Sequence, residues 1–188
     1  MPPMPSRRKR VRSYNEPGHA QELTFSCFRR LPLLSRDRSR WGFIDALAAA
    51  RQRCDLAIWA YVIMPEHVHV IVCPRRVAYE VRLIRTALKV PVQWKALAFV
   101  RREGPTFLEH LRDAQPSGAV HYRFWQRGGG YHRNITDPRT AWTMIDYHNP
   151  VRRGLVKVAT DWLWSSARFY AGWRDVPLGM DSLPALDG

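Results

Sequence analysis

The stretch AYVIMPEHVHVIVCP, residues 60–74, sets two histidines two positions apart inside an apolar segment. Successive side chains of a β-strand point to opposite faces, so this spacing puts His67 and His69 on one face and Val68 and Val70 on the other. Two imidazoles side by side on a rigid strand provide half of a metal site. The alternative is two unrelated histidines on a solvated face, and the pair alone does not decide between them.

Composition and charge favour a single folded domain with a polyanionic partner. The chain has 188 residues, 46% of them hydrophobic, and a formal net charge of +14. This length is enough to bury a core, and the charge favours nucleic acid as the partner. Arginine outnumbers lysine by 26 to 4, and guanidinium groups bind phosphate bidentately. GC-rich coding would also raise the share of arginine, but it would not explain the net charge.

Cysteine usage and hydropathy exclude several classes of protein. Cys27, Cys54 and Cys73 are odd in number and far apart, which favours reduced thiols over a disulfide framework or a zinc cage. No apolar run approaches the ~18 residues that a membrane span needs. The N-terminus also lacks the apolar segment of a signal peptide. We therefore expect a soluble cytoplasmic protein with no membrane partner.

The hydropathy pattern predicts an α+β fold. Strands are predicted over 22–28, 56–63, 68–72 and 120–125, and helices over 41–53, 77–100 and 138–147. Pro91 should kink or divide the second helix. This order matches the ferredoxin-like split βαβ plan, an antiparallel sheet with helices packed on it. The predicted organisation is a basic, disordered arm over 1–19, one domain over 20–173 and a tail over 174–188.

Basic residues cluster at three places that could contact DNA. We expect the arginines around the second helix and after the third helix to form a basic surface beside the histidines. They are Arg75, Arg76, Arg82, Arg85, Arg152 and Arg153. The third place is Arg127-Gly128-Gly129-Gly130, where glycine would let backbone amides approach a phosphate or an extruded base. A plain hairpin turn is an equally open interpretation of this glycine run.

Four segments in series resemble one known family. MPEHVHVIV (64–72), FWQRGGGYHRNI (124–135), IDYHNPVRRGLV (145–156) and DWLWSSARFYAG (161–172) resemble the REP-associated tyrosine transposases, a single-tyrosine branch of the HUH nucleases. The resemblance covers roughly residues 20–173. It implies a ferredoxin-like core that binds hairpin DNA and cleaves a single strand beside the hairpin. Cleavage would pass through a 5′-phosphotyrosine intermediate and need a divalent metal, Mg²⁺ or Mn²⁺.

The resemblance also implies roles for individual residues. His67 and His69 would bind the metal, Tyr147 would be the nucleophile, and Asn149 would complete the metal shell. Imidazole ligands alone would suit zinc, iron or nickel, so the choice of Mg²⁺ or Mn²⁺ follows from the family. A phenol with a pKa near ~10 suits this chemistry, because it can attack and later leave.

The segment after the tyrosine departs from the family pattern. The family places the asparagine four residues after the tyrosine, whereas here the order is Tyr147-His148-Asn149-Pro150. Residues two apart on a helix do not share a face, so Asn149 should leave the helix early or His148 should replace it. Tyr147 could also be a core tyrosine of an amphipathic helix.

Three functions remain open at this stage. The first is a metal-dependent DNA strand transferase, with single-stranded or hairpin DNA as its partner and a homodimer as an open alternative. The second is a hairpin-binding protein of the same fold that has lost cleavage. The third is an RNA-binding ferredoxin-like domain, but such domains usually carry exposed aromatic residues where this chain has His67 and His69.

Overall fold

A four-stranded antiparallel sheet organises the protein. The computed structural model describes residues 15–136 and 150–182. Its strands are β1 (Ala20–Ser26), β2 (Leu56–Ile63), β3 (His67–Pro74), β4 (Arg112–Ala114), β5 (Val120–Tyr122) and β6 (Tyr131–Ile135). The main sheet has the order β2-β3-β1-β6, and β4 and β5 form a separate two-stranded sheet. The predicted α+β class and ferredoxin-like strand order are confirmed.

Two long helices cover one face of the main sheet. They are α1 (Asp37–Arg53) and α2 (Val81–Glu103), and a short helix, Ala167–Tyr170, lies near the end of the described chain. The core between helices and sheet is made by alternate strand residues and by helix residues three or four apart. Its fully buried members include Leu23, Phe25, Val68, Val70, Val72, Phe43, Leu47 and Leu88. α2 is one helix with Pro91 inside it, so the expected division at Pro91 does not occur.

The fourth strand of the main sheet is not the one that the sequence predicts. Residues 120–125 were expected to form it, but Val120–Tyr122 pairs with Arg112–Ala114 in the small sheet. Phe124 and Trp125 instead enter the core from an irregular segment. The strand beside β1 is Tyr131–Ile135, whose sequence YHRNI lacks hydrophobic alternation because its buried position 132 is a histidine.

The C-terminal segment lies along the outer edge of β2. Backbone amides of Ile63 and Ser166 donate to carbonyls of Trp164 and Tyr61 at 2.8 and 2.9 Å. Further on, Asp181 N–H donates to the carbonyl of Ile58 at 2.9 Å. The segment predicted as a tail from 174 onward is therefore docked on the sheet at Asp181.

Several predicted features lie outside the described residues. They are the first 14 residues of the basic arm, the helix predicted over 138–147, and Tyr147, His148 and Asn149.

The three cysteines are free thiols. Among the described residues, the helices are all too short or too polar to span a bilayer.

Candidate active site

His67 and His69 lie on the face of the sheet that α1 and α2 leave uncovered. In the register of β1 and β3, His69 is opposite Thr24 and His67 is opposite Ser26. Val68 and Val70 point into the core and are fully buried. The two imidazole rings are nearly perpendicular, with centroids 4.8 Å apart. The predicted sharing of one face is therefore observed, and both rings are partly exposed on it.

Each imidazole is oriented through its Nδ1 atom. Thr24 Oγ1 lies 2.8 Å from His69 Nδ1, and Glu66 Oε1 lies 3.1 Å from His67 Nδ1. Arg153 then donates to the same Glu66 oxygen at 2.8 Å. A carboxylate or another polar group on one ring nitrogen is the usual support for a histidine that binds a metal through the other. Glu66 is thus the group that orients His67.

The electrostatics favour the neutral form of His67 and the ionised form of Glu66. Burial lowers the pKa of His67, Glu66 raises it, and the positive charges of Arg153 and Arg30 lower it again, so the net shift is downward. Burial raises the pKa of Glu66, but His67 and Arg153 lower it further than burial raises it. A neutral imidazole is the form that binds a metal.

These two histidines fit part of a metal site. Within residues 15–136 and 150–182, His, Cys, Asp and Glu side chains nowhere form a group of three with metal-site geometry. The described chain therefore offers two oriented imidazoles, and Tyr147 and Asn149, expected as nucleophile and third ligand, are outside it. The donor set suits a divalent cation that takes its other ligands from water, from DNA or from another part of the chain.

The glycine run lies beside the site and is held by charged side chains. Arg127 donates to both carboxylate oxygens of Asp113 at 2.7 Å. Arg123 binds the same carboxylate, and together these guanidinium groups lower the pKa of Asp113. Lys89 donates to the carbonyl of Gly128 at 2.9 Å. The run is therefore a fixed loop, and Arg127 is engaged with a carboxylate.

Other groups pass directly over Gly129 and Gly130, but only Gly130 faces a backbone atom that cannot easily move aside. A Cβ at Gly129 would overlap the guanidinium of Arg85. Gly130 has φ +76°, and a Cβ there would overlap the carbonyl oxygen of Thr24. Since Thr24 holds His69, the loop is in van der Waals contact with the strand that orients the site. Arg85 contributes to this packing as well as to the charge of the surface.

The predicted basic surface is only partly beside the histidines. Arg75 and Arg76 follow the far end of β3, six residues or more from His69, which is about 20 Å at the usual rise of a strand. Arg75 pairs with Asp181 at 2.6 Å and Arg76 with Asp55 at 3.7 Å. Their expected position beside the histidines is therefore wrong, and their binding to DNA stays a prediction.

The other predicted arginines lie on two elements. Arg82 and Arg85 are in the first turns of α2, where Arg82 pairs with Glu80 at 3.0 Å. Arg152 and Arg153 lie in the 3₁₀ turn Pro150–Arg153. Of these four, Arg153 is joined to the histidine pair through a carboxylate, because it binds Glu66, which orients His67.

Sequence reasoning missed three residues that shape the site and one buried histidine on the opposite face of the sheet. Thr24, Asp113 and Lys89 act through contacts with residues 14 to 45 positions away, which no local pattern encodes. His132, on the helix-covered face of β6, is buried with no hydrogen-bond partner at Nδ1. Burial and the charge of Arg85 lower the pKa of His132. The alternation of polar and apolar residues around Thr24 indicates a strand, but only the register of β1 and β3 shows that Thr24 lies opposite His69.

One similarity to a solved structure agrees with this fold. No protein-family model matches the sequence, and no curated protein is similar to it. Among solved structures, the chain is similar to a REP-associated tyrosine transposase bound to a REP hairpin, with 21% identity, 96% of each chain covered and a TM-score of 0.58. A candidate transposase from Deinococcus radiodurans R1 has 18% identity and a TM-score of 0.44, over 76% of this chain and 95% of that one.

The first of these similarities shows which fold the chain has. It spans nearly the whole of both proteins, and it concerns the same family that the four sequence segments resemble. At 21% identity it establishes a shared fold.

Proposed function

We propose that the protein is a transposase-like, metal-dependent endonuclease and strand transferase that acts on single-stranded DNA beside a hairpin. The observation that carries this proposal is the oriented pair of His67 and His69 on the open face of a ferredoxin-like sheet. Support comes from the shared fold with a transposase whose structure contains a REP hairpin. The net charge of +14 supports a DNA partner.

Tyr147 is the nucleophile in this proposal. Its phenol oxygen attacks the scissile phosphorus while the bond from phosphorus to the 3′ oxygen breaks. The phenol proton is lost, the departing 3′ oxygen gains a proton, and the products are a 5′-phosphotyrosine link and a free 3′-hydroxyl. A divalent cation at the histidines, Mg²⁺ or Mn²⁺, would withdraw charge from the phosphoryl oxygens. Thr24 and Glu66 hold the two imidazoles in place for it, with Asn149 as a proposed further ligand.

A hairpin-binding protein without cleavage is the second candidate. The observation that favours it is the order Tyr147-His148-Asn149-Pro150, which is two residues shorter than the family pattern. Such a protein would keep the basic surfaces and the glycine loop, and bind hairpin DNA with no covalent step.

A cleavage assay separates the two candidates. The substrate is a hairpin oligonucleotide with single-stranded extensions, labelled at either end and incubated with the protein and Mn²⁺, Mg²⁺ or EDTA. We expect metal-dependent cleavage in one extension, lost in His67→Ala and in His69→Ala. The matched control is His121→Ala, an exposed histidine of the small sheet. Tight binding without cleavage in any metal would select the second candidate.

A further inference from the structure

The turn after β1 carries two consecutive arginines in an unusual backbone conformation. Arg29 and Arg30 have φ angles of 52° and 55°, in the left-handed region that residues with a side chain rarely enter. The turn directly follows Ser26, which is opposite His67 in the sheet. Two adjacent strained residues thus lie at the end of the strand that borders the candidate metal site.

The surrounding structure holds this turn from both sides. Cys27 N–H donates to the carbonyl of Glu66 at 2.8 Å, and Phe28 N–H donates to the carbonyl of Phe124 at 2.8 Å. Arg29 N–H donates to the side chain of Gln126 at 3.1 Å. Strain that neighbouring segments maintain in this way is characteristic of functional sites. Here the neighbouring segments are the loop that carries Glu66 and the loop that leads to the glycine run.

The two arginines differ in what their side chains contact. Arg29 stacks over the ring of Phe28, with 4.9 Å from Cζ to the ring centroid, and its guanidinium donates to the carbonyl of Arg112 at 3.4 Å. Arg30 is exposed, and its positive charge acts on His67. Among the described residues, no carboxylate lies within ion-pair distance of Arg30. Arg153, the other cation that acts on His67, is bound to Glu66.

We propose that Arg30 binds a phosphate of the DNA strand at the candidate metal site, from the β1 side of His67. A guanidinium can bind two phosphate oxygens at once, and the backbone hydrogen bond from Cys27 to Glu66 holds the start of this turn against the residue that precedes His67. The assignment rests on the proposed function, because it takes the DNA backbone as the ligand of the open face.

Neutral phosphate analogues test the contact independently of cleavage. The protein is the full chain with Tyr147→Phe, which leaves the DNA intact. The probes are hairpin oligonucleotides with one uncharged methylphosphonate at each successive linkage of the single-stranded extension, and affinity is measured by fluorescence anisotropy with Mn²⁺. We expect Arg30→Asn, which tolerates the left-handed conformation, to weaken binding of unmodified DNA roughly 10-fold. At one linkage the methylphosphonate should abolish the difference in affinity between the protein with Arg30 and the Arg30→Asn variant.

A distant arginine and a conservative variant serve as controls. Arg53→Asn removes the same charge at the end of α1, beside the far end of β3, and should weaken binding equally with every probe. Arg30→Lys keeps the charge without the bidentate geometry and should show an intermediate loss at the same linkage. Thermal melting of each variant verifies that it is folded. If Arg30→Asn weakens all probes equally or weakens none, the assignment is overturned.

Wild-type protein incubated with the unmodified oligonucleotide separates this inference from the proposed function. If one methylphosphonate abolishes the effect of Arg30→Asn but wild-type protein does not cleave the DNA, the phosphate contact of Arg30 is supported and the proposed nuclease activity is contradicted. If wild-type protein cleaves the DNA but no methylphosphonate abolishes the effect of Arg30→Asn, only the role of Arg30 is contradicted and the proposed function stands.

Discussion

The histidine pair illustrates how single residues define the candidate site. His67 and His69 share a face because of strand alternation, but their ring orientation depends on Thr24 and Glu66. Thr24 comes from another strand and Glu66 from the tight turn between β2 and β3. The shared face of the two histidines therefore follows from the two-residue period of a strand, whereas their ring orientation depends on contacts that exist only in the folded protein.

Gly130 should be among the least replaceable residues of the loop. Alanine there would strain the backbone and overlap the carbonyl oxygen of Thr24. We expect Gly130→Ala to lower the free energy of unfolding by about 3 kcal/mol or more, measured by urea denaturation. Gly18→Ala is the matched control, since Gly18 has φ +79° with open space around it, and should cost only about 1 kcal/mol. Equal losses would contradict the close approach of the loop to Thr24.

Lys89 should give stability a specific pH dependence. Burial, with the charges of Arg85 and Arg123, lowers the pKa of Lys89 from 10.5 to about 8. The folded state then binds fewer protons than the unfolded state between these values, so the Lys89 contribution to stability rises as the pH increases from about 8 to 10.5. We expect the free energy of unfolding of wild type, relative to Lys89→Met, to increase over this interval. A difference that stays constant with pH would contradict the burial of the ammonium group.

Residue patterns predicted part of the candidate site, and the contacts that they did not predict have a physical reason. Strand alternation and the family resemblance identified His67, His69 and the glycine run. The pairing of Arg127 with Asp113 and of Arg153 with Glu66 could not be predicted, because such pairs join residues that are distant in sequence. For the same reason, the sequence put Arg75 and Arg76 beside the histidines although the direction of β3 carries them to the far end.

At the level of elements, edge strands account for most of what the sequence did not predict. β6 is a short end strand of the sheet, and one of its buried positions is His132, so YHRNI shows no hydrophobic periodicity. β2 has the opposite character: nearly all its residues are buried, and the C-terminal segment covers its edge. The buried strands and the two long helices were predicted close to their observed bounds, because their apolar residues form continuous runs in the strands or recur at helical spacing.

Asp181 should be the residue that fixes the C-terminal segment to β2. Its carboxylate accepts a hydrogen bond from the backbone N–H of Ile58 at 2.8 Å and pairs with Arg75 and Arg51 at 2.6 and 3.1 Å. We expect Asp181→Ala to lower the free energy of unfolding by about 2 kcal/mol, because it leaves the amide and both guanidinium groups without this partner.

A second aspartate provides the control for this prediction. Asp175 is 94% exposed and lies 3.7 Å from Arg168, so Asp175→Ala should change stability by less than about 0.5 kcal/mol. If both substitutions cost the same in urea denaturation, the C-terminal segment does not depend on Asp181.

At the level of the whole molecule, positive charge should dominate DNA affinity. The net charge is +14, although Arg75, Arg76, Arg82, Arg127 and Arg153 are paired with carboxylates. If roughly six phosphates are neutralised, the affinity for hairpin DNA should fall with a log–log salt slope of about −4 to −5. Binding isotherms at several NaCl concentrations measure this slope. A slope near zero would mean that the charge does not contribute to DNA binding.

The central claim is that the histidine face supports covalent cleavage of DNA by Tyr147. Its most direct test is mass spectrometry of the protein after incubation with the hairpin oligonucleotide and Mn²⁺. We predict that the peptide containing Tyr147 gains the mass of a 5′-phosphorylated DNA fragment less one water, and that Tyr147→Phe and His67→Ala both abolish the product. The absence of any adduct on wild-type protein that binds the hairpin, or an adduct on a different residue, would contradict the claim.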